Sequence, residues 1–390
     1  MKFSEIVGQN HLKKHLMNSV QSGRIPHAQL FIGPEGSGTL AMALAYAQYI
    51  ICSNIGLENE GGSAACNLKF DHLQHPDLHF VYPVASNDDV KSNPVSDDFM
   101  SKWIEFLKES KYPSINDWYE AINIQKKQGN ISVHEAASIL KKLSLKSFEG
   151  GYKIMIVWMA EKMNTEASNK LLKLLEEPTD KTVFILIAED EKAILQTILS
   201  RCQVLHFNAL NEQEIIQGLI EMEACDEVDA YSIAKQAQGN YNKALKLRYN
   251  VTDEYPFDEW FVNWVRAAFR ANKNARVVTE LVKWSDEISA IGREKQKLFL
   301  NHCMEMFRQA LLLNYNTAQL VYLKPKVENF KLENFAPFVN ENNILEIYQE
   351  IEDAIYHIER NGNAKIILTD LSIKLTRLIH KKYASNWKLI

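Results

Sequence analysis

The sequence predicts an α/β protein: a parallel sheet with helices on both faces, continued by a wholly helical region. Three observations predict it. Lys153-Ile154-Met155-Ile156-Val157-Trp158 is a short apolar run rich in branched residues, a buried strand. Thr182-Val183-Phe184-Ile185-Leu186-Ile187-Ala188 is apolar on both alternating faces, as a strand in a covered parallel sheet must be. Between them Ala167, Leu171, Leu174 and Leu175 share one side at helical spacing, and Pro178 stops that helix. A second short helix, Ser200-Arg201-Cys202 and a strand from Val204 to Phe207 follow, giving the alternation of a doubly wound nucleotide-binding sheet.

Composition bounds what the chain can do. At 390 residues it is too long for one core, which predicts two or three domains. A formal net charge of -5 gives no global attraction to nucleic acid, so any DNA contact must be local. Five scattered cysteines, Cys52, Cys66, Cys202, Cys225 and Cys303, fit a reducing interior better than a disulfide framework. Met1 to Glu5 lacks the apolar core of a signal peptide, and Leu40 to Cys52 is too short to span a bilayer. The expectation is a soluble, cytoplasmic protein with no membrane partner.

In chain order, the strand Gln29-Leu30-Phe31-Ile32 runs into Gly33-Pro34-Glu35-Gly36-Ser37-Gly38-Thr39-Leu40, with a helix from Ala41. Strand, glycine-rich turn and helix N-terminus are the frame of a P-loop. Thr39 stands where the phosphate-pairing lysine belongs, and Leu40 where the magnesium-binding hydroxyl belongs. Backbone amides can still form an anion nest at Gly33, Gly36 and Gly38, but neither the gamma-phosphate charge nor the metal is held. These glycines are the candidate cofactor-binding positions of a remnant loop. No cofactor is required, and ATP binding is in doubt.

Beyond it, His75-Pro76-Asp77-Leu78 begins a strand towards Val81, and Ala85 to Ser101 is a polar surface insertion. Trp103 to Leu107 and Ile115 to Ile124 are short amphipathic pieces. Ser132-Val133-His134-Glu135 is a capping box ahead of a helix bearing Ala136, Ile139, Leu140 and Leu143. Glu212 to Met222, Val228 to Gln238 and Asn242 to Arg248 form a small lid-like helical domain, and Thr252 to Pro256 is the candidate linker. From Phe257 onward Trp260, Phe261, Trp264, Phe269, Trp284, Phe299 and Phe307 recur at helical spacings and are read as core.

Two motifs say more. Ser168-Asn169-Lys170-Leu171-Leu172-Lys173-Leu174-Leu175-Glu176-Glu177-Pro178, followed by Ile198-Leu199-Ser200-Arg201-Cys202, resembles the bacterial clamp-loader branch of the AAA+ ATPases. That resemblance implies an AAA+ domain over 1–207, a helical lid over 208–252 and a helical oligomerisation collar over 253–390. It implies that Arg201, with Ser200 and Cys202 of its motif, reaches towards ATP bound by a neighbouring subunit. Val7-Gly8-Gln9 would lie beside the adenine pocket, and the helix after Ser132 would start at a central DNA channel. There Lys141, Lys142 and Lys146 read equally well as a solvated face. Trp158 and Met159 fall where the Walker B acids belong, Ala188 or Glu189 at the first-sensor position, and Asn242 where an ATPase places its second-sensor arginine. Asn361 to Leu375 resembles the last collar helix. Relatives carry a four-cysteine zinc module near Cys52 and Cys66, but here Glu60 and Ser63 occupy the other two places, and Gly61 to Ala65 reads as a loop that has lost its metal. Two thiolates do not close a tetrahedral site. Zinc is not expected, although Glu60, His72 or His75 offer further ligands.

Of the subunit types in that family, the motor type keeps the lysine, the acids and the second-sensor arginine, and the clamp-opening delta type lacks Ser-Arg-Cys. What remains resembles the delta-prime family of the DNA polymerase III clamp loader: a non-hydrolysing stator that lends an arginine finger. Its implied partners are the gamma/tau-type motor and delta subunits, and indirectly the sliding clamp and primed DNA. The alternatives are a motor-type ATPase with unorthodox residues and a stand-alone DNA-binding adaptor.

Overall fold

A computed structural model describes residues 1–52, 64–144, 147–148, 151–249, 256–271, 274–315, 317–323, 325 and 327–381. The chain divides into two compact units, one of Met1–Ile124 with Gly129–Thr252, the other of Gln125–Gln128 with Asp253–Ile390.

The first unit runs α1 (Asn10–Gln21), β1 (Ala28–Ile32), α2 (Thr39–Cys52), α3 (Ala64–Asp71), β2 (Leu78–Val81), α4 (Met100–Glu109), α5 (Ile115–Ala121), α6 (Val133–Ser144), β3 (Lys153–Val157), α7 (Thr165–Glu176), β4 (Thr182–Ala188), α8 (Gln196–Leu199), β5 (Gln203–His206), α9 (Glu212–Glu223), α10 (Glu227–Ala237) and α11 (Tyr241–Arg248). The strands form one parallel sheet in the order β2-β3-β4-β1-β5. β1 and β4 pair from Ala28↔Phe184 to Ile32↔Ala188, and all seven residues of β4 are buried, so both faces of the sheet are covered. This is the parallel α/β sheet with flanking helices that the sequence predicts.

Local chemistry sets the elements. The Asn164 side chain accepts from the Ala167 amide at 2.8 Å and caps α7, which buries Ala167, Leu171 and Leu175 and ends just before Pro178. Helix α2 is buried on almost every side and shares one hydrophobic core with Trp103, Phe106 and Trp118.

Several expectations need correction. Cys52 and Cys66 are bonded to each other as a disulfide, so neither offers a free thiolate to a metal, and the reading of unpaired cysteines fails here. Ala64 and Ala65 open α3 rather than lying in a relaxed loop, whereas Glu60, Gly61, Gly62 and Ser63 lie outside the described residues. Within the polar stretch before α4, Ser96 and Phe99 are buried; the Tyr82 hydroxyl donates to the Ser96 carbonyl at 2.6 Å. The capping box at α6 does not close. The Ser132 hydroxyl has no partner, since the Glu135 amide donates to the Ser132 carbonyl at 3.1 Å; the Glu135 carboxylate is taken by the Ser96 amide at 2.7 Å, and Leu140 is exposed. Lys142 pairs with Asp97 at 2.6 Å, and Lys146 lies outside the described residues, as does most of the expected linker from Thr252.

The second unit is helical: α12 (Phe257–Ala271), α13 (Val278–Ser289), α14 (Arg293–Asn314), α15 (Leu332–Phe335), α16 (Ile344–Glu359) and α17 (Ala364–Leu378). Its core stacks Trp264 on Trp284 with centroids 4.9 Å apart, and the Trp264 indole donates to the Ser372 hydroxyl at 2.9 Å. Phe269 departs from the core reading: it is 42% exposed and stacks on His380. No helix among the described residues is long and apolar enough to cross a membrane.

Candidate functional site

The carboxyl end of β1, beside those of β4 and β5, is where a doubly wound sheet places a ligand. The loop from Gly33 to Gly38 leaves β1 there. Gly36 and Gly38 adopt φ of +75° and +89°, the left-handed conformation this turn into α2 requires, and the Ser37 amide between them donates to the Pro34 carbonyl at 3.1 Å.

What surrounds it is apolar or already engaged. Leu40 is 4% exposed and belongs to the core instead of presenting a hydroxyl. Trp158 packs against Trp103 and Phe106 with centroids 5.2 and 6.4 Å away, and Met159 beside it is equally buried. The position of the metal-binding acids has thus joined an aromatic cluster, where a charge would be costly. Ala188 is the buried last residue of β4, and the Glu189 amide donates to the Glu161 carboxylate at 3.2 Å.

The chain also fills the mouth. Tyr112, between α4 and α5, lies so close that a Cβ on Gly38 would sit 3.1 Å from its ring. Its hydroxyl accepts from the Val7 amide at 2.7 Å, and its ring meets Tyr241 edge-on at 4.8 Å. Asn242 fixes this arrangement by donating to the Tyr112 carbonyl at 2.7 Å and to the Asp117 carboxylate at 3.0 Å. Burial pushes the Asp117 carboxyl up, but Lys246 at 2.7 Å, together with the hydrogen bonds from Ser114, outweighs it and holds the group below the usual aspartate range. On the other side Asn240 caps α11, donates to Glu35 at 3.0 Å, and stands where any side chain on Gly36 would have to go. Burial raises the Glu35 carboxyl above its ordinary value, only partly offset by that hydrogen bond. The space left over the loop is about 20 Å³, room for about one water molecule. A larger cleft of about 840 Å³ lies on the far side of Tyr112, lined in part by Asp117, Tyr241, Asn242 and Tyr249.

Gly36, Gly38, Thr39, Leu40, Trp158, Met159 and Glu189 all meet at this small space, and Arg201 does not line it. Arg201 follows α8 with about a third of its side chain exposed. Its Nη2 pairs with Glu176 at 2.5 Å, and its Nη1 donates to the Thr197 carbonyl at 2.9 Å. Cys202 is half-buried, and burial pushes its thiol up to about 11, so it stays protonated at neutral pH. His75 is buried, with Nδ1 accepting from the Asp77 amide at 3.2 Å. No group of three metal-binding side chains occurs among the described residues.

Sequence reasoning missed Tyr112, Asn240 and Glu176. Ser114 and Asp117 do show a readable box, Ser-x-x-Asp, and it caps α5 with the Ser114 hydroxyl accepting from the Asp117 amide at 3.2 Å. Nothing in Lys111-Tyr112-Pro113 signals that its aromatic ring turns inward.

The family described as DNA polymerase III, delta subunit, matches residues 8–211. A curated relative, DNA polymerase III subunit delta' of Bacillus subtilis, is 30% identical over 215 residues, 55% of this chain and 52% of its own length. The tau subunit of the same organism is 25% identical over 251 residues, 63% of this chain and 37% of its own. The chain thus spans about half, or less, of the length of these relatives. Among solved structures, a DNA polymerase III gamma-subunit-related protein from Thermotoga maritima aligns at 14% identity and a TM-score of 0.38, over 94% of this chain and 99% of that one.

Proposed function

Because this chain belongs to the DNA polymerase III, delta subunit family, we propose that it is a delta-prime-type subunit of a clamp loader, a non-hydrolysing stator that lends Arg201 to the ATP site of a neighbouring motor subunit. One observation carries the reading. The chain's own nucleotide position is filled by Tyr112 and walled by Leu40, Trp158 and Met159, while Arg201, half-buried, lies outside it. A guanidinium set against a gamma-phosphate accelerates phosphoryl transfer on the order of a thousandfold or more. The partners in this reading are gamma/tau-type motor and delta subunits, and through them the sliding clamp and primed DNA, in the cytoplasm. Neither ATP nor zinc is needed by this chain itself.

The relationship to a tau subunit makes a motor-type ATPase the second reading. The buried Leu40 and Trp158 weigh against it, because neither binds magnesium or orients a water. The test is reconstitution with a motor subunit. Arg201→Ala should lower the DNA- and clamp-stimulated ATPase of the complex, and the isolated chain should release no phosphate. Turnover by the isolated chain, abolished by a substitution at Gly38, would support the second reading instead.

A further inference from the structure

Arg201 is engaged within its own chain. Its Nη2 meets Glu176 Oε1 at 2.5 Å, while Nη1 donates to the Thr197 carbonyl at 2.9 Å and the Ser200 hydroxyl at 3.3 Å. Glu176 is the last residue of α7, and Arg201 lies just beyond α8, which packs on α7. A glutamate at a helix C-terminus is opposed by the helix dipole, so the α7 end gains from a cation placed there. The arginine supplies that cation.

We propose that Glu176 parks Arg201. In the free subunit its carboxylate takes the place of the neighbour's terminal phosphate, and on assembly around nucleotide the guanidinium exchanges one anion for the other. This rests on the reading of Arg201 as a finger acting in trans. The exchange is chemically matched, because carboxylate and phosphate oxygens fit the same planar donor fork. It is also one-sided. Both side chains are substantially exposed, 35% and 47%, and an exposed pair of that kind shifts an equilibrium only about two- to fivefold. A terminal phosphate carries more charge and more acceptor oxygens than the carboxylate, and outcompetes it. Thr197 and Ser200 hold the opposite edge of the guanidinium, so its plane stays defined when Glu176 lets go.

The test uses the reconstituted complex with a slowly hydrolysed ATP analogue, and compares Glu176→Gln, Arg201→Ala and the double variant. Glutamine keeps the size and the helix but removes the charge. We expect Glu176→Gln to tighten nucleotide-dependent association about two- to fivefold, with no change when nucleotide is omitted. The gain should vanish in the double variant, which should match Arg201→Ala. Thermal unfolding of the isolated subunit should be unchanged, which separates parking from a structural role. If Arg201→Ala impairs the complex but Glu176→Gln leaves association unchanged or weakens it, parking is wrong and the finger reading stands. If Arg201→Ala has no effect, the finger reading fails, and parking fails with it.

Discussion

The Tyr112 hydroxyl accepts a hydrogen bond from the Val7 amide at 2.7 Å, across 105 residues of sequence. Both partners are buried, and the ring they position lies over Gly38 at the mouth of the loop. Val7 belongs to the turn that the family resemblance puts beside an adenine base, and its amide is spent here on the protein's own side chain. Under the proposed function the nucleotide position is lost twice over: by substitution at Thr39 and Leu40, and by filling with Tyr112.

That distinction is measurable. Thr39→Lys with Leu40→Thr restores the lysine and the hydroxyl but leaves about 20 Å³ for a nucleotide. We expect this double variant to show no ATP binding by calorimetry, and the triple variant with Tyr112→Ala to bind. Micromolar binding by the double variant alone would show that Tyr112 moves aside and is no barrier. Circular dichroism should accompany the titration, since Leu40 and Tyr112 are both buried and their loss weakens the core.

How much of this was legible follows from the range of the interactions. Strand β4 was readable to the residue because an uncharged run of Thr182 and six apolar side chains lies between Lys181 and Glu189, and α7 because Leu171 and Leu175 share a face that ends at Pro178. Glu135 shows the limit of local pattern. It stands at the correct spacing for a capping box, but an amide 39 residues away claims its carboxylate. Tyr112 and Asn240 carry no periodic signal at all, since their roles depend on α11 meeting the loop after β1. Arg201 was found by its motif, whereas its partner Glu176 was hidden in plain view within the other motif.

Acid titration should separate two half-buried carboxyls. Asp117 is held below the usual value, about 3.9, so its stabilisation is complete above that pH and is lost as the pH falls through the lower folded value. Glu35 is raised above about 4.3, so it opposes folding at neutral pH, and that penalty fades as the pH falls through its folded value. In urea unfolding, Glu35→Gln should stabilise at pH 7 and lose its advantage by about pH 4. Asp117→Asn should destabilise at pH 7, with the difference shrinking only below about pH 3.9. Parallel curves for both variants across that range would contradict these assignments.

The disulfide gives a second independent test. Cys52 and Cys66 are separated by 14 positions, and closing a loop of that size restricts the unfolded chain by about 3 kcal/mol. Dithiothreitol should therefore lower the stability of the oxidised wild type by about 2–4 kcal/mol, and Cys52→Ser should do the same. Adding the reductant to Cys52→Ser should change nothing further. A wild type indifferent to reductant would mean that the bond does not form in solution.

Arg201→Lys discriminates between charge and geometry. Lysine keeps the positive charge but presents a compact ammonium on a flexible stem, without the planar fork that spans two phosphate oxygens. If Arg201 acts only by its charge, the lysine variant should recover most of the ATPase of the reconstituted complex. If the fork matters, it should fall close to Arg201→Ala. We expect the second outcome, because the bonds that Nη1 makes to Thr197 and Ser200 set the plane of the guanidinium, which one ammonium cannot reproduce while also reaching outward. The loss should stay below the roughly thousandfold value of an isolated finger, since only the ATP site facing this subunit is touched. Stability of the isolated chain should hold within about 0.5 kcal/mol for both variants, as expected for an exposed surface pair. A large fall in stability with normal ATPase in the complex would place Arg201 in its own fold and remove it from catalysis.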